Sequence, residues 1–327
     1  MKSLFVKKVS LSILLMSFFL VTCRKSEKTP HGLFTKNIRI DGQNRRYAIF
    51  IPKNPTQAMP IVFELHGGGV YIEDMTGESG HKTPFKLWMN LAERDKFIVV
   101  YPEGLNGAYG KPTWNDCRGD CQVSSDANDV QFINTLIEKL LADFDIDSHR
   151  IYVSGLSNGG FMAQRIAIEL NQKIAAISSV VASKPAVSSC AQPQPIPILF
   201  MFGTDDNHMP YNGGLLSNPP NALHGTVLSA DATIDYWKNL NQTDITPQYE
   251  IFPDLDTNDG GVVEKFSYLH GVNDTEVIFY KINGAGHSAP SISERYSSLF
   301  EQYFNKQNHD IEMTTEVWNF FKNKSLP

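Results

Sequence analysis

A serine stands at the centre of Gly155-Leu156-Ser157-Asn158-Gly159, between the apolar run Arg150 to Ser154 and the helix-forming stretch Phe161 to Ile168. That order reads as strand, tight turn and helix, with the hydroxyl at the apex. Glycines two residues either side of Ser157 let backbone and helix pass close to a strained residue, where a β-carbon would collide. A serine hydroxyl becomes a nucleophile only when a base takes its proton, and the base needs a carboxylate to orient it. His287 is the candidate base, in Asn283-Gly284-Ala285-Gly286-His287-Ser288-Ala289-Pro290, directly after the apolar run Val277 to Lys281. The acid is expected after Ile198 to Phe202, where Asp205 and Asp206 both qualify and spacing alone does not choose. Charge developing on an attacked carbonyl needs fixed donors. The backbone of His66-Gly67-Gly68-Gly69, after the run Ile61 to Leu65, could bend an amide toward Ser157, with the amide of Asn158 as a second donor. The blander alternative is a glycine-rich strand-to-helix connection with a capping serine.

Elements that could position these residues are legible in the apolar pattern. Ile61 to Leu65, Phe97 to Tyr101, Arg150 to Ser154, Ile174 to Val181, Ile196 to Phe202 and Glu276 to Ile282 are short, nearly continuous apolar runs. Such runs are expected of parallel strands covered on both faces. Helical patterns fall at about Phe85 to Arg94, Asn128 to Phe144, Gly160 to Asn171, Ser229 to Asn239 and Thr315 to Asn323. An opening hairpin is expected from Ile38 to Ile40 and Arg45 to Ile51 across Asp41-Gly42-Gln43-Asn44, and a late strand at Val262 to Tyr268. The expectation is an α/β layer architecture entered through an antiparallel edge. Two long loops break the alternation: Leu105 to Asp126, which holds Trp114, and Tyr211 to Thr226. Loops of this length in a compact domain are more often binding rims than linkers, and Trp114 and Tyr211 are candidate aromatic walls.

The first 22 residues read as a leader: Lys2, Lys7 and Lys8 precede the apolar stretch Leu11 to Val21, which is short for a membrane span. Leu20-Val21-Thr22-Cys23 resembles a bacterial lipobox, which makes Cys23 the candidate lipidation site and the membrane a partner through that lipid. Residues 23–34 then form a polar tether, and 35–325 a single catalytic domain. Losing the leader takes the formal charge from −6 to about −9, which speaks against nucleic acid as a partner. About 305 remaining residues, at an apolar fraction of 42%, can bury one large core. With Cys23 set aside, Cys117, Cys121 and Cys190 remain in a compartment that permits disulfides. Cys117 and Cys121 are close enough to bridge within their loop, leaving Cys190 free. No fourth ligand completes a metal site around them, so neither metal nor cofactor is expected. Oligomeric state is not readable from the sequence.

Taken together, Leu65-His66-Gly67-Gly68-Gly69, Val99-Val100-Tyr101-Pro102-Glu103-Gly104 with Trp114-Asn115, Asn128-Asp129-Val130, the Ser157 elbow through Phe161-Met162, and Gly284-Ala285-Gly286-His287 resemble one family. It is the secreted esterase family of polyhydroxybutyrate depolymerases and feruloyl and acetyl-xylan esterases, carbohydrate esterase family one. The resemblance spans roughly Arg39 to Pro290. It implies an α/β-hydrolase fold: a mostly parallel central sheet with helices on both faces. It also implies a serine esterase with Ser157 as nucleophile, His287 as base and the amides of Gly68 and Asn158 as oxyanion hole. The family's Gly-Thr-x-Asp pattern followed by Pro-Tyr falls on Gly203 to Tyr211, which makes Asp206 the acid. Ser288 stands where many relatives carry a tryptophan, which shades the expected acyl group from bulky feruloyl toward smaller ones. The expected substrates are feruloyl or acetyl esters on polysaccharides. Alternatives are a polyhydroxybutyrate-type polyester, or a lipid-anchored binding protein without catalysis. The expected location is exported, in the cell envelope.

Overall fold

The computed structural model describes residues 30–217 and 220–327. The expected leader, Cys23 and most of the expected tether lie outside the described residues. From His31 onward the chain forms one compact unit.

Ten strands join in one sheet: β1 (Gly32–Ile40), β2 (Gln43–Ile51), β3 (Met59–Leu65), β4 (Ile98–Pro102), β5 (Ile146–Leu156), β6 (Ala176–Val180), β7 (Ile198–Gly203), β8 (Gln248–Ile251), β9 (Val262–Tyr268) and β10 (Val277–Asn283). Their spatial order is β1-β2-β4-β3-β5-β6-β7-β10-β9-β8. The block from β4 to β10 is parallel throughout. Antiparallel pairs flank it, β1 and β2 at one edge and β9 and β8 at the other. Among the described residues seven α-helices accompany the sheet: α1 (Ile72–Thr76), α2 (Leu87–Asp95), α3 (Asp129–Asp143), α4 (Asn158–Glu169), α5 (Ala230–Asn241), α6 (Ser298–Phe304) and α7 (Met313–Phe321).

Successive side chains of a strand point to opposite faces, and here both faces are apolar. On β3, Ile61, Phe63 and Leu65 join Phe132 of α3, Ile166 of α4 and Ile234 of α5 in one core. Val62 points the other way, into a second core with Met75 of α1, Trp88 of α2 and Val317 of α7. This is why the strands read as unbroken apolar runs, and it gives the two-faced α/β-hydrolase architecture. Side-chain caps fix the starts of α3 and α5: Asn128 accepts from the amide of Gln131 (3.3 Å) and Ser229 from that of Ala232 (3.1 Å).

Three features depart from expectation. β1 begins at Gly32, inside the segment read as tether. α6 has no buried residue and β8 is exposed along its whole length, and neither is among the expected elements. The expected Cys117–Cys121 bridge is not formed: Cys117 pairs with Cys190, 73 residues on, with a Cα–Cα distance of 5.3 Å. The reason is backbone pairing. The amide of Ser189 donates to the Cys117 carbonyl and that of Gly119 to the Val187 carbonyl, each at 2.9 Å, so the Trp114 loop lies alongside the chain beyond β6. Cys121 turns away in a tight bend, stays a thiol and meets Ser124 Oγ at 3.4 Å.

Candidate active site

Ser157 sits between β5 and α4 with φ 55° and ψ −119°, a left-handed conformation that costs a non-glycine residue energy. The turn closes only because its neighbours lack side chains. A Cβ on Gly155 would lie 2.2 Å from the carbonyl oxygen of Gly159, and one on Gly159 would lie 2.2 Å from that of Leu65. The Ser157 amide donates to the Val180 carbonyl (2.8 Å), which fastens the apex to the end of β6.

The loops after β7 and β10 meet at this apex. His287 Nδ1 donates to Asp206 Oδ2 (2.7 Å), which leaves Nε2 as the acceptor facing Ser157 Oγ at 2.9 Å. Asp206 is held in turn: its Oδ1 accepts from the amides of His208 (2.8 Å) and Met209 (2.7 Å). Asp205 is exposed and its carboxylate accepts from Thr204 Oγ1 (3.1 Å), so of the two acids that spacing left open it is Asp206 that contacts His287 among the described residues. The His287 amide donates to the Phe304 carbonyl (2.6 Å) and that of Gly286 to Lys306 (2.8 Å), which ties the histidine loop to the end of α6.

Beside the serine, Gly68 and Asn158 border the same cavity, and neither amide has a protein acceptor among the described residues. The glycine turn is fixed by His66, whose Nδ1 donates to the Gly67 carbonyl (2.7 Å) while Nε2 accepts from the Gly104 amide (2.9 Å). Burial pushes the His66 pKa down to about 4, which keeps this neutral tautomer. The Asn158 side chain is occupied elsewhere, accepting from the Trp114 amide (2.7 Å) and donating to Asp116 (2.6 Å), so only its backbone faces the site.

Trp114, expected as a binding wall, is fully buried instead. Its indole Nε1 donates to the His66 carbonyl (2.9 Å) and its ring packs on His66 at 4.7 Å, so it braces the glycine turn from behind. The base of its loop is held by a buried ion pair, Arg45 to Asp129 at 2.5 Å, with the other Asp129 oxygen accepting from the Asn115 amide (2.7 Å). Tyr211 is half-buried outside the cavity lining, its hydroxyl donating to Asp231 (2.9 Å). Ser288 is buried and also outside the lining.

The cavity over Ser157 has a volume of about 300 Å³. Both long loops contribute to it, through Tyr109, Lys111 and Arg118 from one and Leu216, Ser217 and His224 from the other. Phe161, His208 and Phe304 complete the apolar and imidazole wall near His287. Arg118 is neutralised by Asp116 (2.7 Å) and lies over the Phe161 ring at 4.6 Å. None of these wall residues was identified from sequence. Only His208 and Phe161 lie inside motifs the sequence displays. Among the described residues no cluster of side chains could hold a metal ion.

A hydroxyl hydrogen-bonded to a carboxylate-oriented imidazole, at a strained turn beside two unpaired amides, can attack a carbonyl and hold the resulting oxyanion. The chain is similar to known esterases. Residues 45–190 match the family model described as esterase PHB depolymerase. A bifunctional acetylxylan esterase/xylanase of Neocallimastix patriciarum is 27% identical over 77% of this chain and 32% of its own length. Feruloyl esterase B of Piromyces equi is 31% identical over 64% of this chain and 36% of its own. The chain thus spans about a third of the length of these curated relatives. Among solved structures, an acetyl xylan esterase from Aspergillus awamori superposes with a TM-score of 0.51 at 14% identity, covering 83% of this chain and 98% of that one. A thermostable esterase gives 0.54 at 16% identity over 90% and 63%.

Proposed function

We propose, from the match of residues 45–190 to the family model described as esterase PHB depolymerase, that the protein is a serine hydrolase of carboxylic esters. The observation that carries the reading is the chain Ser157 Oγ, His287, Asp206, joined at 2.9 Å and 2.7 Å. Ser157 Oγ attacks the ester carbonyl as His287 Nε2 takes its proton, and the amides of Gly68 and Asn158 receive the oxyanion. His287 then returns the proton to the departing alkoxide. Water, deprotonated by the same nitrogen, releases the acid from Ser157. Asp206 holds the imidazole tautomer and stabilises its cation.

The substrate class proposed is small acyl esters on polysaccharides, in keeping with the acetylxylan and feruloyl esterases among the relatives. Polyester oligomers are the second reading, favoured by the exposed apolar side chains Tyr109, Leu215 and Leu223 on the two rim loops. Export with lipid attachment at Cys23 completes the proposal, and the Cys117–Cys190 bond supports an oxidising compartment. Ser157→Ala should abolish turnover of phenyl acetate and labelling by a fluorophosphonate probe; a folded variant that still turns over this ester sinks the assignment. A kinetic panel of acetylated xylan, methyl ferulate and hydroxybutyrate oligomers ranks the substrates. An unlipidated mature N-terminus downstream of Cys23 would remove the anchor.

A further inference from the structure

Beside His287 the cavity wall carries a second imidazole that the nucleophile, base and acid do not use. The His208 ring is centred 5.4 Å from that of His287, with planes 29° apart, and Phe304 backs it at 4.7 Å. Its tautomer follows from a chain of amides. Asn305 Nδ2 donates to the Asp205 carbonyl (2.6 Å), which leaves Asn305 Oδ1 near Asn207 Nδ2 at 3.5 Å. Asn207 Nδ2 also donates to the Tyr303 carbonyl at 2.9 Å. That places Asn207 Oδ1 against His208 Nδ1 at 2.7 Å. An amide oxygen only accepts, so Nδ1 carries the proton. Burial, with the neighbouring His287 adding to it, pushes the His208 pKa down to about 4, so the ring is neutral around pH 7. Nε2 is then a lone pair, without a protein partner among the described residues, on a ring that lines the cavity.

Which half of a substrate meets it follows from the proposed chemistry. An ester held on Ser157 with its oxygen toward Gly68 and Asn158 presents its alkoxy oxygen to His287 Nε2, which must protonate it. A ring stacked along His287 borders the alcohol half, not the acyl half. We infer that His208 Nε2 accepts a hydrogen bond from a hydroxyl on the alcohol half, adjacent to the esterified carbon, so that the site selects partly acylated polyols over simple alkyl esters. This rests on the serine-esterase reading above. An ester without that hydroxyl strips water from Nε2 and supplies nothing in return, which is how a polar pocket rejects an analogue.

The test is the ratio of kcat/KM for trans-2-hydroxycyclohexyl acetate to that for cyclohexyl acetate, in the wild type, in His208→Phe and in His208→Gln. The wild-type ratio should be about tenfold or more, the value expected of one hydrogen bond to a desolvated acceptor. It should fall to about one in His208→Phe and recover in part in His208→Gln, which keeps an acceptor. A wild-type ratio near one overturns the inference without any variant, and so does a ratio that His208→Phe leaves unchanged. Failure of the wild type to hydrolyse either ester would instead overturn the esterase reading itself.

Discussion

Removing the Cys117–Cys190 bond should cost the fold on the order of 4 kcal/mol. The bond closes a stretch of 73 residues, and the chain-entropy relation for a loop of that length gives roughly 4 kcal/mol at 25 °C. Inside the stretch lie α3, β5, the Ser157 turn, α4 and β6, so cutting the bond frees the unfolded chain over the segment that builds the elbow. In the folded state the backbone pairing of Cys117 with Ser189 and of Gly119 with Val187 remains, so the loss falls mainly on the unfolded side of the balance. Cys121 would confuse the experiment, since a thiol four residues from Cys117 can take over a freed partner. The comparison is therefore Cys117→Ser/Cys190→Ser against its parent, both carrying Cys121→Ser, by urea unfolding followed through tryptophan fluorescence. A loss below about 1 kcal/mol would refute the entropic argument. Peptide mapping of the unreduced wild type that found Cys117 joined to Cys121 would refute the pairing beneath it.

Asp206→Asn should lower kcat on phenyl acetate by on the order of 10⁴-fold, because an amide favours the wrong imidazole tautomer, while Asp205→Asn should stay within about threefold; equal losses would refute the assignment of the acid. Trp114→Phe keeps an aromatic ring but orphans the buried His66 carbonyl, so it should cost about 1–3 kcal/mol in urea unfolding and lower kcat more than it raises KM. Glu64 is buried with Trp88 Nε1 donating to it at 2.7 Å, and burial raises its pKa to about 8. Folding therefore binds a proton at pH values between the ordinary carboxylate value of about 4.5 and 8, and stability falls as pH rises through that window by on the order of 5 kcal/mol in all. Glu64→Gln should remove that component, which unfolding curves from pH 4 to 9 would show; parallel curves for the two proteins would refute it.

The strands and helices that position the site were legible because each signal is local. Ile61 to Leu65 and Ile198 to Phe202 are apolar on both faces, and Asn128 and Ser229 are cap residues before amphipathic runs. The Ser157 turn was legible for the same reason, since the two glycines that let it close are two residues away. Asp206 needed more: it differs from Asp205 only in the direction its carboxylate takes, and the turn amides of His208 and Met209 set that direction. Trp114 and the cysteines went wrong at a longer range. A loop tryptophan becomes a wall or a brace according to which carbonyl meets its indole, and that carbonyl belongs to His66, 48 residues earlier. Cys117 had a nearer candidate partner in sequence, but the pairing of 117–119 with 187–189 decides the bond. His208 lies inside a recognised motif, and its tautomer is still set by Tyr303 and Asn305 at the end of α6, far along the chain. What separates the two groups is sequence range rather than importance. Roles fixed by a residue's own turn could be read in advance, whereas those fixed by a polar partner some 50 to 100 residues away required the fold that brings the partners together.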